Sequence, residues 1–506
     1  MQFRNANARQ RGRFVIKTLR VALAQINTTV GDLEGNTTKV IEYAERARDL
    51  GADLVAFPEL TLPGYPPEDL LLRTRFIADN RRALDSIVER LRGITAIVGF
   101  ADWDVDLYNA AAVIHDGRIA GVYRKHFLPN YGAFHEMRYF RPGNAPQIYE
   151  IAGARVGVNI CEDIWYPEGP TQVQALAGAD VIVNINGSPF HHGKRAFRER
   201  MVAARAADNS VIVCYVNLIG GQDELVFDGN SMVLNQDGVT IAHAAAFEEQ
   251  LLVTDLNLES LYLARLHDPR RRSHLLQDAR RQDATQFVAG PKKHAQPPLT
   301  QEPMTPPLSE EAEVYRALVA GTRDYVHKNG FETVIVGVSG GIDSSLVAAI
   351  ATDALGPEHV VGISNPSRYS SEGSIADAQE LTANLGIRLM IIPIEPAHAA
   401  YLDILEDAFK GTAAGVAEEN IQSRIRGNAL RRHGRRLRGD QGRAEDAGLP
   451  PRPLPQRARR PRYHPAGRDR KGALGRAAAR PARHRFPAAL RGPRPDPRGL
   501  RRGRSQ

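Results

Sequence analysis

From residue 429 to residue 506 the sequence contains no Val, Ile, Thr or Met, carries 23 Arg and one Lys against five acids, and has only Tyr463 and Phe486 as aromatics. A segment without β-branched residues is a poor candidate to complete a sheet, and one so short of apolar side chains cannot bury a core. Folding must therefore rely on residues up to about Asn428. Residues 429–506 read as an Arg/Pro/Ala/Gly-rich tail, expected to be disordered. The chain's formal charge is +8; the tail's net of +19 leaves −11 for residues 1–428, so the basic character belongs to the tail alone. Arg, Ala, Pro and Gly are the residues of GC-rich codons. We read the tail as a frameshift near codon 429 with loss of a short segment. An RNA-binding arm would be expected to show interleaved aromatics or a repeat, and neither is present.

With 506 residues and 42% hydrophobic content, two domains are expected. Two cysteines, Cys161 and Cys214, are too few for a disulfide framework and fit a reducing compartment. No signal-peptide core and no run of about 18 apolar residues occurs, so a soluble cytoplasmic protein with no membrane partner is expected.

Residues 1–16 are polar and basic, an N-terminal extension. Residues 17–270 hold recurrent strand-like runs such as "RVALAQI", "RVGVNIC" and "VIVCYVN". Two pairs of runs flank Asp-Gly turns, "AAAVIHDGRIAGVY" and "SMVLNQDGVTIAHA", which signals hairpins. "TTKVIEYAERARDLGA" has apolar positions at helical spacing, with Gly51 past its end. Stacked layers of sheet and helix are expected. Residues 271–308 are rich in proline and charge and read as a linker. From 309 to 428 strands and helices alternate, "TVIVGV", "SLVAAIATDAL", "HVVGISN", "SIADAQELTANLG", "RLMIIPI", which predicts a doubly wound parallel sheet with ligands at the strand C-terminal ends.

Three stretches can carry chemistry in the first domain: "AFPELTLPGYPPEDL", "GVYRKHFLPNYGAFHEMRYF" and "RVGVNICEDIWYPE". Cys161 follows alternating Val156, Val158 and Ile160 and sits where a strand turns. A thiol needs a base to become a nucleophile, which Glu59 can supply, and an ammonium such as Lys125 can stabilise the oxyanion formed on an amide carbonyl. Cys214, inside an uninterrupted apolar run, reads as core. Together the stretches resemble the carbon-nitrogen hydrolase (nitrilase) family over residues 18–265. The resemblance implies an α-β-β-α sandwich with Glu59 as general base, Lys125 stabilising the tetrahedral intermediate, Cys161 forming a thioester and Glu136 as a supporting carboxylate. "LPNYG" and "NGSPFHHGKR" resemble the glutaminase subgroup, which implies that Tyr131, Ser188 and Lys194 hold glutamine.

In the second domain "VIVGVSGGIDSSLVAAI" sets S-G-G-I-D-S-S between a strand and a helix. Adjacent glycines permit close backbone approach, and a helix N-terminus with serines presents donors to phosphate. It is not the lysine-containing phosphate loop G-x-x-x-x-G-K-[ST]. The pattern resembles the ATP pyrophosphatase loop of N-type amidotransferases, which implies ATP contacts from Gly337, Ser339, Gly340, Gly341, Asp343 and Ser344, with Asp343 also a Mg2+ ligand.

Joined, and with "NPSRYSSEGSIADAQELTANLGI" and "EENIQSRIRGN", the halves resemble the glutamine-dependent NAD+ synthetase family. That implies ammonia released from glutamine and used to amidate deamido-NAD+ at the expense of ATP, with Asn420 contacting deamido-NAD+ and Arg424 and Arg426 available for its phosphates. Small molecules, not nucleic acid, are the implied partners, and homo-oligomers are usual. The family continues past this point with an apolar helix, a strand and a T-G-N-K-S-E loop. None of these follows here, so the alternative expectation is a glutaminase whose synthetase half is defective.

Overall fold

The computed structural model describes residues 18–144, 146–268, 285–290, 299, 304–410 and 420–431. The N-terminal extension, most of the 271–308 stretch and the tail from residue 432 onward lie outside the described residues.

Residues 18–268 form two stacked sheets with helices outside. The first sheet has six strands in the order β14-β1-β2-β3-β4-β5, where β1 is Thr18–Gln25, β2 Leu54–Ala56, β3 Thr95–Trp103, β4 Leu107–His115, β5 Arg118–Arg124 and β14 Gln250–Asn257. The second runs β13-β12-β9-β8-β7-β6-β15, built from β6 Ile148–Ile151, β7 Ala154–Ile160, β8 Val181–Asn186, β9 Ile212–Asn217, β12 Met232–Leu234, β13 Thr240–His243 and β15 Thr285–Ala289. Alternation along each strand decides which layer a side chain serves. Leu19, Val21 and Leu23 of β1 meet Val156, Val158 and Ile160 of β7 and Cys214 of β9 between the sheets. Ala22, Ala24 and Val55 turn the other way, onto helices Leu33–Asp49 and Thr74–Arg90. Ile182, Val213 and Tyr215 pack against Val202 and Ala206 of helix Lys194–Asn209. Sheets buried on both faces explain the nearly unbroken apolar runs in the sequence. The layers are α-β-β-α, as the sequence led us to expect.

The two Asp-Gly hairpins are present, β4–β5 and β12–β13. In the first, Asp116 (φ 43°) and Gly117 (φ 78°) both take the left-handed region that a two-residue turn of this kind requires. β15 corrects the reading of 271–308 as pure linker. Its "TQFVA" pairs in parallel with β6, adding an edge strand to the second sheet and burying Val288.

In the 304–410 part, helix Glu310–Lys328 is capped by the Ser309 side chain and ends before Gly330. Three parallel strands follow, β16 Val334–Gly337, β17 Val360–Ser364 and β18 Arg388–Ile391, in the order β16-β17-β18. Helices Ile342–Leu355 and Glu372–Leu385 connect them, as strand-helix alternation predicts. Strand order runs one way only; the reversal that a doubly wound sheet needs is not seen among the described residues. Ile342, Leu346 and Val347 of the first connecting helix, and Ile404 of the helix Glu395–Phe409, are exposed.

Helix Glu310–Lys328 also packs on the hairpin of β10, Ile219–Gln222, and β11, Leu225–Asp228. Ala317 and Ala320 lie against Phe247, Phe190 and Val226. No described helix is long and apolar enough to cross a membrane.

Candidate active sites

Glu59 follows β2, Lys125 follows β5 and Cys161 follows β7, three strand ends brought to one edge of the stacked sheets. Lys125 Nζ donates to Glu59 Oε1 at 2.6 Å and to both Glu136 carboxylate oxygens at 2.9 Å, with Lys125 and Glu59 wholly buried. Glu59 is held by two further donors: Asn109 Nδ2 at 2.7 Å to Oε1 and the Gly187 N–H at 2.8 Å to Oε2. The Tyr65 hydroxyl donates to Glu136 at 3.0 Å. A buried ammonium needs carboxylate partners and hydrogen bonds to offset its desolvation, and Lys125 has both from two carboxylates.

Burial works against the Lys125 ammonium, but Glu136 and then Glu59 hold it well above the usual lysine range. Burial raises Glu136 to about 7, with Lys125 pulling it down and Glu59 pushing it up. Burial, then the Glu59 carboxylate, pushes the Cys161 thiol well above the usual thiol range against the pull of Lys125. The Cys161 thiol is therefore neutral at rest, and to act as a nucleophile it would require a general base.

Cys161 itself adopts φ 44° at the start of the short turn Cys161–Ile164. A non-glycine residue in the left-handed region is strained, and this one sits where β7 ends and the turn begins, still buried. Cys214 is fully buried in β9 and packs in the intersheet core.

Of the glutamine-subsite candidates, Tyr131 and Lys194 lie near enough to Cys161 for a thiolate there to act on both. The Tyr131 hydroxyl donates to Glu162 at 2.9 Å, and the rest of that side chain is exposed. Ser188 is buried, its N–H bound to Asn217 Oδ1 at 2.9 Å. Lys194 Nζ reaches the Pro189 carbonyl at 2.9 Å, and burial followed by the nearby Arg198 lowers it to about 8. Sequence reasoning missed Asn109, Tyr65, Glu162 and the buried Arg198–Asp228 pair, 3.1 Å apart. Each sits on a strand, helix or loop whose local pattern looks like ordinary core or surface; only the fold aims them here.

The second candidate site is the turn after β16. Gly340 has φ 84°, and a Cβ there would collide with the Ser374 carbonyl oxygen. No other residue type fits that position without strain. Ser339 and Ser344 hydroxyls are 3.1 Å apart, and Ser344 and Ser345 hydroxyls donate to the Gly341 carbonyl at 2.9 and 3.0 Å. Gly341 caps the helix Ile342–Leu355, so the turn opens onto its N-terminal N–H groups. Beside it lies a cavity of about 360 Å3 lined by Ser339, Ser364, Asn365, Tyr369, Ser374 and Arg426.

The structure separates the other candidates. Arg426 reaches the first cavity, its Nε donating to the Asn365 carbonyl at 3.2 Å. Arg424 lines a wider depression of about 1100 Å3 with Tyr401 and Asn428. Asn420 is exposed and borders neither; Gly337 does not meet the collision that constrains Gly340. Asp343 is exposed in the first turn of its helix, and among the described residues no group of three or more His, Cys, Asp or Glu side chains forms a metal centre.

Residues 20–266 match the carbon-nitrogen hydrolase family and residues 314–439 the NAD synthase family. A glutamine-dependent NAD+ synthetase of Thermotoga maritima is 49% identical over 419 residues, covering 82% of this chain and 72% of that protein. The chain belongs to the glutamine-dependent NAD+ synthetase family. The Aquifex aeolicus relative is 46% identical over 81% of this chain and 72% of its own length. The solved glutamine-dependent NAD+ synthetase of Acinetobacter baumannii, in complex with ADP, superposes with a TM-score of 0.72 at 35% identity over 83% of this chain and 73% of that one. The NAD synthase match runs to residue 439, some ten residues into the Arg-rich composition that begins at 429.

Proposed function

We propose that the first site hydrolyses glutamine and that the ammonia amidates deamido-NAD+ at the second, forming NAD+, AMP, pyrophosphate and glutamate. The observation that carries this reading is the buried Lys125–Glu59–Glu136 cluster beside a neutral, strained Cys161, in a chain whose second half presents a Ser/Gly turn at a helix N-terminus.

Glu59 takes the Cys161 proton as sulfur adds to the carboxamide carbon. The Lys125 ammonium faces the oxyanion, stabilising charge that develops only in the transition state. Collapse expels the nitrogen, with the proton returned by Glu59, and leaves a thioester. Water then attacks with Glu59 as base, and glutamate leaves with the thiol restored. Lys194, with Ser188 and Tyr131, holds the substrate's α-carboxylate end. In the second half, the Ser339–Ser345 turn binds the ATP phosphates while a nicotinate carboxylate oxygen attacks the α-phosphorus and pyrophosphate leaves; ammonia then adds to the carboxyl carbon of the adenylate and expels AMP. Asp343 offers one carboxylate to a magnesium ion arriving with the nucleotide, which would supply phosphate-charge neutralisation; one such ligand suits Mg2+ that keeps its waters and phosphate oxygens. Asn420 and the two arginines are assigned to deamido-NAD+.

A second reading is favoured by one observation: the NAD synthase match spans residues 314–439, and the sequence from 429 onward has the Arg/Pro-rich composition of the tail. On that reading the chain hydrolyses glutamine without completing NAD+ synthesis. The deciding assay supplies deamido-NAD+, Mg-ATP and either glutamine or ammonium, and quantifies NAD+ and glutamate together. NAD+ from ammonium establishes a working synthetase site. Glutamate without NAD+ from either source establishes the glutaminase alone, and absence of both overturns the proposal.

A further inference from the structure

Four donors converge on one buried carboxylate that is not itself among the reacting groups. Asp163, fully buried, lies two residues past Cys161. Its Oδ2 accepts from the Ile160 N–H at 3.0 Å and from the Tyr123 hydroxyl at 2.7 Å. Its Oδ1 accepts from the N–H groups of His126 at 3.0 Å and Phe127 at 2.8 Å. Ile160 immediately precedes the nucleophile, and His126 immediately follows Lys125.

We propose that Asp163 is a positioning residue for glutamine hydrolysis, one carboxylate that ties the backbone entering the Cys161 turn to the backbone leaving Lys125 and so sets the thiol against the ammonium. The inference rests on the reading of Cys161 and Lys125 as the reacting pair. Lys125 already has its own N–H on the Asn109 carbonyl at 2.8 Å and its carbonyl on the Gly143 N–H at 2.7 Å. The first bond fixes it to β4 of the first sheet, and the second ties it to the loop ahead of β6. Nothing in them relates it to β7, in the second sheet. Asp163 spans that gap: Oδ1 takes the two N–H groups of the segment that follows β5, and Oδ2 takes the Ile160 N–H of β7 together with the Tyr123 hydroxyl of β5. Four donors also explain why the residue is an aspartate: an ionised carboxylate is acceptor-only, whereas an asparagine would present its NH2 to an N–H. Burial raises Asp163 to about 6, and the Phe127, Tyr123 and Ile160 donors pull against that rise.

The test compares D163N, Y123F and C161A by glutamate release, by thermal unfolding, and by the rate at which chloroacetamide, a small neutral reagent, alkylates Cys161. Misplacing reacting groups by about 1 Å costs on the order of 100-fold, so D163N is expected to lower kcat about 100-fold with the glutamine KM held within about twofold, and to slow alkylation in parallel. Y123F removes one donor and leaves three backbone bonds; a fall in kcat of about threefold to tenfold at constant KM is expected. If D163N lowers only the melting temperature and the folded enzyme keeps its kcat, Asp163 is structural and the inference is overturned. Should D163N fail to fold, Y123F decides: unchanged kcat and alkylation rate overturn the inference. Glutamate release by C161A would instead overturn the reading of the site itself.

Discussion

Lys125 Nζ lies 2.6 Å from Glu59 Oε1 with both side chains wholly buried, and Glu136 closes on the same ammonium from the other side at 2.9 Å. One cation thus serves two carboxylates in the protein interior. Its removal would leave like charges facing each other without solvent.

Lys125→Met is therefore expected to fail twice. Glutamate release should fall by about 100-fold or more, the scale set by losing one preorganised group at a developing oxyanion. Stability should fall by about 3–5 kcal/mol, the scale for breaking a buried pair from one side. Lys125→Met combined with Glu136→Gln removes part of the unpaired charge, and should recover much of the stability while recovering none of the activity. Denaturant unfolding and a glutamate assay on both variants check this; a single variant as stable as the parent would show that the cluster is not compensated as the distances indicate.

Lys194 gives the pH dependence a sign. Its folded value of about 8 lies below the ordinary 10.5, so between those values the unfolded chain binds a proton that the folded chain does not. The stability linked to this group is complete above 10.5 and is lost as the pH falls through 8. Function runs the opposite way, because the charged form is the one that attracts a carboxylate. The glutamine KM should rise as the pH passes about 8, while Lys194→Arg, which keeps its charge, should show a flatter KM across the same range. Initial-rate kinetics from pH 7 to pH 10 distinguish the two curves.

Much of this arrangement was legible in the sequence because it is local. Cys161 follows the alternating Val156, Val158 and Ile160, Asp116-Gly117 marks a hairpin, and Ser339–Ser345 lies between a strand and a helix, so each declares its setting within a dozen residues. What was not legible is what the fold imports from a distance. Asn109 reaches Glu59 across 50 positions and Gly187 across 128, and neither looks unusual in its own strand or loop. β15 was hidden because an edge strand of five residues needs only one buried side chain, Val288, to pay for its place. The role of Asn420 came from likeness alone, and of the two arginines read beside it, Arg426 lines the cavity next to Ser339 while Arg424 lines the wider depression.

Gly340 is the position in the second site where backbone geometry excludes a side chain. Its φ of 84° and the Ser374 carbonyl oxygen both oppose a Cβ. Gly340→Ala should cost about 1–3 kcal/mol in this half of the chain and abolish the thermal shift produced by ADP or ATP. Glutamate release without nucleotide should be unchanged, since none of the first site's hydrogen bonds involves this turn. Scanning calorimetry with and without nucleotide makes the measurement. A variant that retains the nucleotide-dependent shift would remove this turn from the nucleotide site.

Asp324 joins the two halves of the chain. It is nearly buried on helix Glu310–Lys328 and accepts from Asn27 Nδ2 at 2.6 Å and from the Gly221 N–H at 2.7 Å. One turn on, Lys328 Nζ donates to Asn27 Oδ1, the Thr28 carbonyl and the Gly221 carbonyl at 2.8–2.9 Å. The acid and the base thus clamp the same two segments, the loop after β1 and strand β10, and the clamp is close because Gly220, at φ 100°, has no Cβ to meet Asp324 or Asn27. Asp324→Ala strands the Gly221 N–H and removes the acid from beside Lys328; a loss of about 1–3 kcal/mol follows from leaving a buried donor unpaired. Lys328→Met keeps the acid and removes the ammonium instead. If the two act as one clamp, the double variant should lose less than the sum of the single losses, because each single change already disrupts the shared partner Asn27. Strict additivity in a double-mutant cycle, read by denaturant unfolding, would mean that the helix is held at two independent points.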